Sequence, residues 1–466
     1  MPSDAGPARR LRELPPALGF ALAGGFALGL LACVPAAADR HPVVAASLVG
    51  AASLLSAWGA VVWVWASRRG RRPTLEIDPR PQHYVQACAQ ASVFLYWGWH
   101  WPPVRDAAAL IAAQVLFAYA FDLLLAWSRG EAGRLGFGPV PVVFSINLFL
   151  WFADDRFHLQ LLLVAFAFAA KALIRWERDG RRAHVFNPAA FALAVFAAAL
   201  LATGTSDLTR GQDIAVSQFF PPHMYLWIFL VALPGQYLFG VTSMTLAAVA
   251  ATWLFGLAWF TATGVYYFYD AYVPIAVFLG MHLLFTDPST APRTEAGRLL
   301  FGALYGVGVV AGYALLAGAG LPTFYDKLLP VPLLNLSVGL LDRLAGRRLP
   351  GRVPEPRRRH LAYMAAWAAV FAVMSATGGV GDRHPGQWLP FWQAACADGR
   401  PGACGYLAAR LSGHCVAGSG WACNEIGVLL LTRPEAVATA GEAEPRPAAA
   451  AWFGEGCALG LSLIHI

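Results

Sequence analysis

The chain reads as all-α: a polytopic transmembrane helical bundle of about 13 helices, followed by a short C-terminal helical-repeat tail. Two features of composition and one of pattern predict this. Hydrophobic residues make up 58% of the 466 residues and charged residues only 13%, where a soluble domain carries about 25% charge. Mean hydropathy is +0.53. Apolar runs of about 20 residues recur along the sequence, each long enough to cross the ~30 Å hydrocarbon layer as a helix. The runs are continuous rather than alternating, which argues against a β-barrel. Lipid offers backbone groups no water, so such runs must be helical.

The first run, 17–38, follows Arg9, Arg10 and Arg12 and has the charge pattern of a signal peptide. It is too long for one, and a second run at 43–66 follows almost at once, so it is read as a retained helix. The remaining runs fall at 86–104, 107–127, 138–152, 157–174, 185–203, 223–240, 242–262, 271–286, 298–319, 326–342 and 361–377. Those at 138–152 and 326–342 are short, and each is a candidate half-helix.

Arginine positions orient the bundle. With the N-terminus inside, the inner segments hold Arg68 to Arg72, Arg129, Arg134, Arg175 to Arg182, Arg293, Arg298 and Arg343 to Arg359. The outer loops hold only Arg40, Arg105, Arg156 and Arg210. Positive charge collects on the cytoplasmic side of membrane proteins, so the N-terminus is placed in the cytoplasm. The odd helix count then puts the tail on the periplasmic or extracellular side. Trp97, Trp99, Trp101, Tyr266, Tyr267, Tyr269 and Tyr272 fall near outer helix ends, as interfacial aromatics do. The net charge of +7 is therefore a topology signal, with contact to anionic headgroups as a second use. It does not point to nucleic acid.

Composition divides the chain further. Residues 1–78 hold an N-terminal helix pair, 79–345 the main membrane domain, 346–380 a basic linker with the last helix, and 381–460 a cysteine-rich segment. Residues 461–466 look like translated sequencing-adapter read-through, and the natural protein is expected to continue with further repeats. Five of the seven cysteines lie in the tail: Cys396, Cys404, Cys415, Cys423 and Cys457. Cys396-Ala-Asp-Gly-Arg-Pro-Gly-Ala-Cys404 matches Cys415-Val-Ala-Gly-Ser-Gly-Trp-Ala-Cys423, and Cys457-Ala-Leu-Gly460 starts a third copy. The pattern resembles cysteine-rich Sel1-like helical repeats, in which one helix ends, a Gly loop follows and a second helix begins. Cysteines eight apart on one straight helix would be ~12 Å apart, too far to bridge, so disulfides require the loop to fold back. A zinc site is the rival, without the usual two-to-four-residue gap. An oxidising outer compartment favours disulfides, and three pairings of Cys396, Cys404, Cys415 and Cys423 remain open.

Three blocks carry the candidate chemistry. His184-Val-Phe-Asn187-Pro188-Ala-Ala opens a helix at membrane depth. Asn caps and Pro suits the first turn, while free N–H groups at such a start suit an anion or cofactor. Phe285-Thr286-Asp287-Pro288-Ser289-Thr290-Ala-Pro292 is followed by Gly297-Arg298 and Phe301-Gly302. A carboxylate at a membrane end is costly unless paired or functional; Asp287 either caps the next turn or binds a cofactor or cation. Gly235-Gln236-Tyr-Leu-Phe-Gly240-Val-Thr242-Ser243 is the third block. Gln114, Asp122, Asn147, Lys171, Gln236 and His282 are further intramembrane polar residues. Pairing inside the bundle is expected for Asp122, and snorkelling for Lys171. There is no Gly-rich phosphate loop, nucleophile elbow or metal-ligand cluster, and no catalytic residue is assigned.

Together with Pro332-Leu-Leu-Asn335 and Leu341-Asp342, these blocks resemble the RnfD/NqrB family of electron-transport membrane subunits over about 80–345. The resemblance implies a redox-linked subunit that moves electrons or ions alongside other Rnf-like membrane subunits. A non-covalent FMN, riboflavin or quinone would lie near Asn187, Pro188, Asp287, Ser289, Thr290, Thr242 and Ser243. Family members carry covalent FMN on a threonine in an outer loop. Here Ser217-Gln-Phe-Phe220-Pro221 puts a phenyl ring at that position, so covalent FMN is not expected. The family's acidic "GETS" reads Gly240-Val-Thr-Ser243, without the acid. The chain also resembles stand-alone UnbU-like members of the family, which implies a flavin-free transporter-like scaffold as a second role; the Sel1-like tail implies a third, a membrane anchor whose tail binds an exported protein partner.

Overall fold

The computed structural model describes residues 17–70, 73–178, 180–268, 271–346, 356–416, 418–433 and 445–460. Arg71, Arg72, the centre of the basic linker and residues 461–466 lie outside them. The fold is all-α, with two small two-stranded sheets. The chain divides into two compact units, residues 1–251 with 275–369, and residues 252–274 with 370–466.

The helices follow in order: α1 Ala17–Leu31, α2 Pro35–Ala38, α3 Pro42–Arg68, α4 Pro81–His100, α5 Pro102–Asp106, α6 Ala108–Ser128, α7 Pro139–Asn147, α8 Phe157–Leu173, α9 Pro188–Thr203, α10 Gly211–Ser217, α11 Met224–Phe239, α12 Thr242–Thr263, α13 Ile275–Leu283, α14 Glu295–Gly318, α15 Pro330–Ala345 and α16 Pro356–Ala376. Each predicted run contains helix. Among the described residues, six helical segments are long and apolar enough to cross a membrane: Pro42–Arg68, Ala108–Ser128, Asp154–Leu173, Thr242–Thr263, Glu295–Gly318 and Thr323–Ala345. Proline opens α3, α4, α7, α9 and α15, where its missing N–H has no helical partner to lose.

The principal helices fall into two series of similar lengths. α4, α6, α7, α8 and α9 have 20, 21, 9, 17 and 16 residues. α11, α12, α13, α14 and α15 have 16, 22, 9, 24 and 16. The third member of each is a half-helix, ~13 Å long at 1.5 Å per residue, well short of the hydrocarbon layer. The run at 138–152 is thus half-helical as expected. The other half-helix lies in the 271–286 run, and 326–342 gives the longer α15.

Unwound backbone beyond a half-helix needs polar partners, and side chains from distant segments provide them. After α7, the Leu148 carbonyl accepts from Gln218 Nε2 at 2.6 Å. Gln160 takes two groups of the same stretch, donating to the Leu150 carbonyl at 3.4 Å and accepting from Phe152 N at 3.1 Å. Gln114 and Asn147 exchange amide bonds at 3.1 and 2.8 Å, and Gln160 Nε2 donates to Gln114 at 3.2 Å. Around α13, every residue of which is buried, Thr245 Oγ1 donates to the Met281 carbonyl at 3.0 Å and Asn187 Nδ2 to the Leu284 carbonyl at 2.7 Å. Asp122, expected to pair inside the bundle, is half-buried and has no hydrogen-bond or ion-pair partner among the described residues.

The sheets fix loop ends. β1 (Leu75–Ile77) pairs in parallel with β2 (Gly133–Leu135). β3 (Arg175–Arg178) pairs antiparallel with β4 (Arg181–His184), Arg175 opposite His184, which sets His184 four residues before α9.

In the second unit, α17 (Leu389–Ala397), α18 (Ala403–Val416), α19 (Gly420–Thr432) and α20 (Pro445–Ala458) share a core with Val265 and Tyr266. Trp392 is fully buried, and its indole N–H donates to the Gly386 carbonyl at 2.6 Å. His384 accepts from Gly386 N through Nδ1 at 3.1 Å and packs against Tyr266 with ring centroids 4.3 Å apart and planes tilted by 59°; burial pushes its pKa down to about 3. Disulfides Cys396–Cys404 and Cys415–Cys423 join α17 to α18 and α18 to α19. Of the three pairings left open, neighbours pair, with Cα atoms 4.6 and 4.9 Å apart, inside the range a disulfide spans. Gly399 and Gly402, both at positive φ, make the chain reversal that brings the first pair together. Cys457 is a free, exposed thiol on α20.

Candidate functional site

The site forms where the start of α9 meets the loop between α13 and α14. Asn187 caps α9 by accepting from Ala190 N through Oδ1 at 3.1 Å, and its Nδ2 holds the Leu284 carbonyl. Its backbone N–H donates to Asn335 Oδ1 on α15 at 3.1 Å, across 148 residues. Asn335 Nδ2 in turn donates to the Thr290 carbonyl at 3.3 Å. Pro188 is the buried first residue of α9. One pair of asparagines therefore clasps three segments that are remote in sequence.

On the rim of this clasp, His184 Nε2 lies 3.3 Å from Asp287 Oδ2 and 2.8 Å from Ser289 Oγ. Ser289 donates to Asp287 Oδ1 through its backbone N–H at 2.9 Å and its hydroxyl at 2.5 Å. Burial pushes the Asp287 carboxyl up, but the His184 bond and charge and the two Ser289 bonds outweigh it and hold the group below the ordinary aspartate range. The cluster is not a nucleophilic relay. A relay needs the carboxylate on one ring nitrogen and the hydroxyl on the other; here both approach Nε2, and the hydroxyl proton goes to the carboxylate. Asp287→Asn is expected to cost about 1.5–3 kcal/mol at neutral pH, the range for a hydrogen-bonded charged group. Because the folded pKa is depressed, the contribution is fully present above pH ~4 and is lost as pH falls through the folded value. Melting of wild type and Asp287→Asn at neutral and acid pH checks this: the difference should shrink on acidification, and a constant or growing gap would contradict it.

The remaining blocks tie onto the same loop. Asp342 accepts from Arg293 N at 2.9 Å, and from Thr294 N and Thr294 Oγ1, both at 2.9 Å. Thr294 caps α14 through Gly297 N at 3.1 Å. Arg298 bridges Pro292 and Gly240 carbonyls at 3.0 and 2.7 Å, which links the Gly240–Ser243 block to the Asp287–Pro292 loop. Thr242 and Ser243 are buried, and their hydroxyls have no hydrogen-bond partner among the described residues.

The candidate cofactor residues do not fit an enclosed flavin in this arrangement. The polar groups of Asn187, Asp287 and Ser289 bond one another or the backbone. The cavity beside Thr286 has a volume of about 20 Å³, where a ligand pocket takes about 300–1,000 Å³. At the outer loop, Phe220 is exposed and has no hydroxyl, while Ser217 is buried with its hydroxyl on the Ile214 carbonyl at 3.2 Å.

Sequence reasoning quoted His184 and Asn335 inside motifs without a role for either. It passed over Gln160 in its apolar run, and the buried Lys327–Asp326 ion pair at 3.0 Å. A lone amide in an apolar run is a signal that could have found Gln160. Neither a comparison of the sequence with protein-family models nor one with curated proteins gives a match.

Proposed function

We propose that the chain is an integral membrane subunit of RnfD/NqrB type that works with partner subunits to move electrons or to couple redox chemistry to ion movement. The observation that supports this is the clasp: the blocks around Asn187, Asp287 and Asn335 bond to one another across as many as 148 residues. A flavin or quinone on this domain would be non-covalent and held at the exposed rim of Pro288 and Ser289. The purified protein is expected to show flavin absorbance, to release flavin on denaturation and to give a dark band under ultraviolet light in a denaturing gel. A fluorescent band at its mass contradicts the non-covalent assignment.

A second reading, a flavin-free scaffold or anchor that presents its tail to an exported partner, draws support from the disulfide-joined helices of the second unit. A colourless protein with a dark band and no released flavin selects it over the first.

Both readings share a topology of about 13 helices, with the N-terminus cytoplasmic and the tail outside. Alkaline phosphatase fused after residue 430 is expected to be active and a green fluorescent protein fused there to stay dark. The reverse pattern overturns the topology.

A further inference from the structure

A small cavity lies beside the clasp, between α4, α11 and α13. Gln86, Gln236, His282 and Thr286 are its polar lining, and Ala89, Ala232, Phe239 and Leu283 are among its apolar walls. Gln236 and His282 are only 2% and 3% exposed. Gln236 Oε1 and His282 Nε2 are buried and have no hydrogen-bond partner among the described residues.

The surrounding network fixes what these two atoms are. Thr245 Oγ1 gives its proton to the Met281 carbonyl at 3.0 Å. The 3.3 Å contact between Thr245 Oγ1 and the Gln236 amide must therefore use Nε2 as donor, since a hydroxyl has one proton. That leaves Oε1 as the free end, an acceptor. His282 Nδ1 lies 2.6 Å from the Phe278 carbonyl, which only accepts, so Nδ1 carries the ring proton. In the neutral ring Nε2 is then a bare lone pair. Thr286 Oγ1 gives its proton to the His282 carbonyl at 2.8 Å, which leaves lone pairs there as well. The cavity walls thus offer two buried unpartnered acceptors whose orientations are set by their other bonds.

We propose that this cavity is a binding site for one neutral, water-sized hydrogen-bond donor, water or ammonia, that bridges His282 Nε2 and Gln236 Oε1. The volume of about 20 Å³ holds one such molecule, since about 10–15 Å³ suffices for a water. Two acceptors match the two hydrogens of water. The lining contains no Asp or Glu, so a cation there would be buried without a counter-charge. One imidazole nitrogen and one amide oxygen are also far fewer ligands than a hard metal ion takes. The assignment holds under either reading of the protein's function.

The test uses the full chain in lipid nanodiscs with ¹⁵N-labelled histidine, the His282 signals being assigned by difference against His282→Gln. The expected result is an unprotonated Nε2 that receives magnetisation from an exchangeable donor, with that transfer reduced several-fold in Gln236→Leu. Added ¹⁵N-ammonium chloride at alkaline pH separates the sources: replacement of the water transfer assigns ammonia, and unchanged transfer assigns water. A protonated Nε2, or an unprotonated one with no transfer, overturns the proposal. Where either variant fails to fold, a high-resolution density map of the wild-type protein decides. A peak within about 3.2 Å of both atoms supports the site, and an empty cavity overturns it.

Discussion

Gly302→Ala is expected to remove about 3 kcal/mol or more from the membrane unit and to leave little folded protein. A Cβ at Gly302 would stand 2.1 Å from the Met244 carbonyl oxygen and 2.9 Å from its carbon. Both obstacles are backbone, so no rotamer change relieves the clash. The flanking Phe301 and the facing Met244 are fully buried, which leaves no space to retreat into. Overpacking a core costs about 1–3 kcal/mol where side chains can adjust; a backbone-to-backbone contact between α12 and α14 lies at or beyond the upper end. Small residues at helix crossings are how membrane helices come this close. Gly339→Ala is the control, since a Cβ there meets nothing within 4 Å and should be neutral or slightly stabilising. Gel-filtration profile and melting temperature report the result; a Gly302→Ala protein that melts with wild type would contradict the close crossing.

Loss of both disulfides is the second large effect. Each closes a short loop between cysteines eight residues apart, worth about 2.5 kcal/mol on the chain-entropy account, so about 5 kcal/mol together. That is comparable with the whole stability of many small domains. All four sulfur-bearing residues are buried in the core of the second unit. Reduction, or Cys404→Ala with Cys423→Ala, should make residues 389–432 protease-sensitive while the helices of the first unit stay protected. A chelator should have no effect, because paired cysteines offer no thiolate to a metal. Resistance of the reduced protein would show that packing around Trp392 suffices alone.

The helices were legible because each apolar run must form one in lipid, and Pro188 was legible as a helix opener; Pro42, Pro81, Pro139 and Pro330 open helices too, but only the structure shows it. The half-helices were only partly legible. The 271–286 run reads like its neighbours, and what leaves the segment after Leu283 unwound is supplied from elsewhere, by Asn187. Gln160 and Gln218 do the same after Asn147. Such partners are non-local, so no window of sequence contains them. The site divides similarly. Asn187 as a cap and Asp287 as a paired carboxylate follow from local chemistry. That Asn335 joins them, and that His184 is the partner of Asp287, depends on how α9, α14 and α15 come together.

The two half-helices also impose an order on synthesis. The stretch after α7 leaves the ribosome before Gln160 and well before Gln218, which follows Leu148 by 70 residues. Its carbonyls lack these two partners until those side chains have been made. α13 meets the opposite situation, since Asn187 precedes Leu284 by 97 residues and Thr245 precedes Met281 by 36. The break after α7 is therefore completed only by side chains made after it, and the break after α13 by side chains already made.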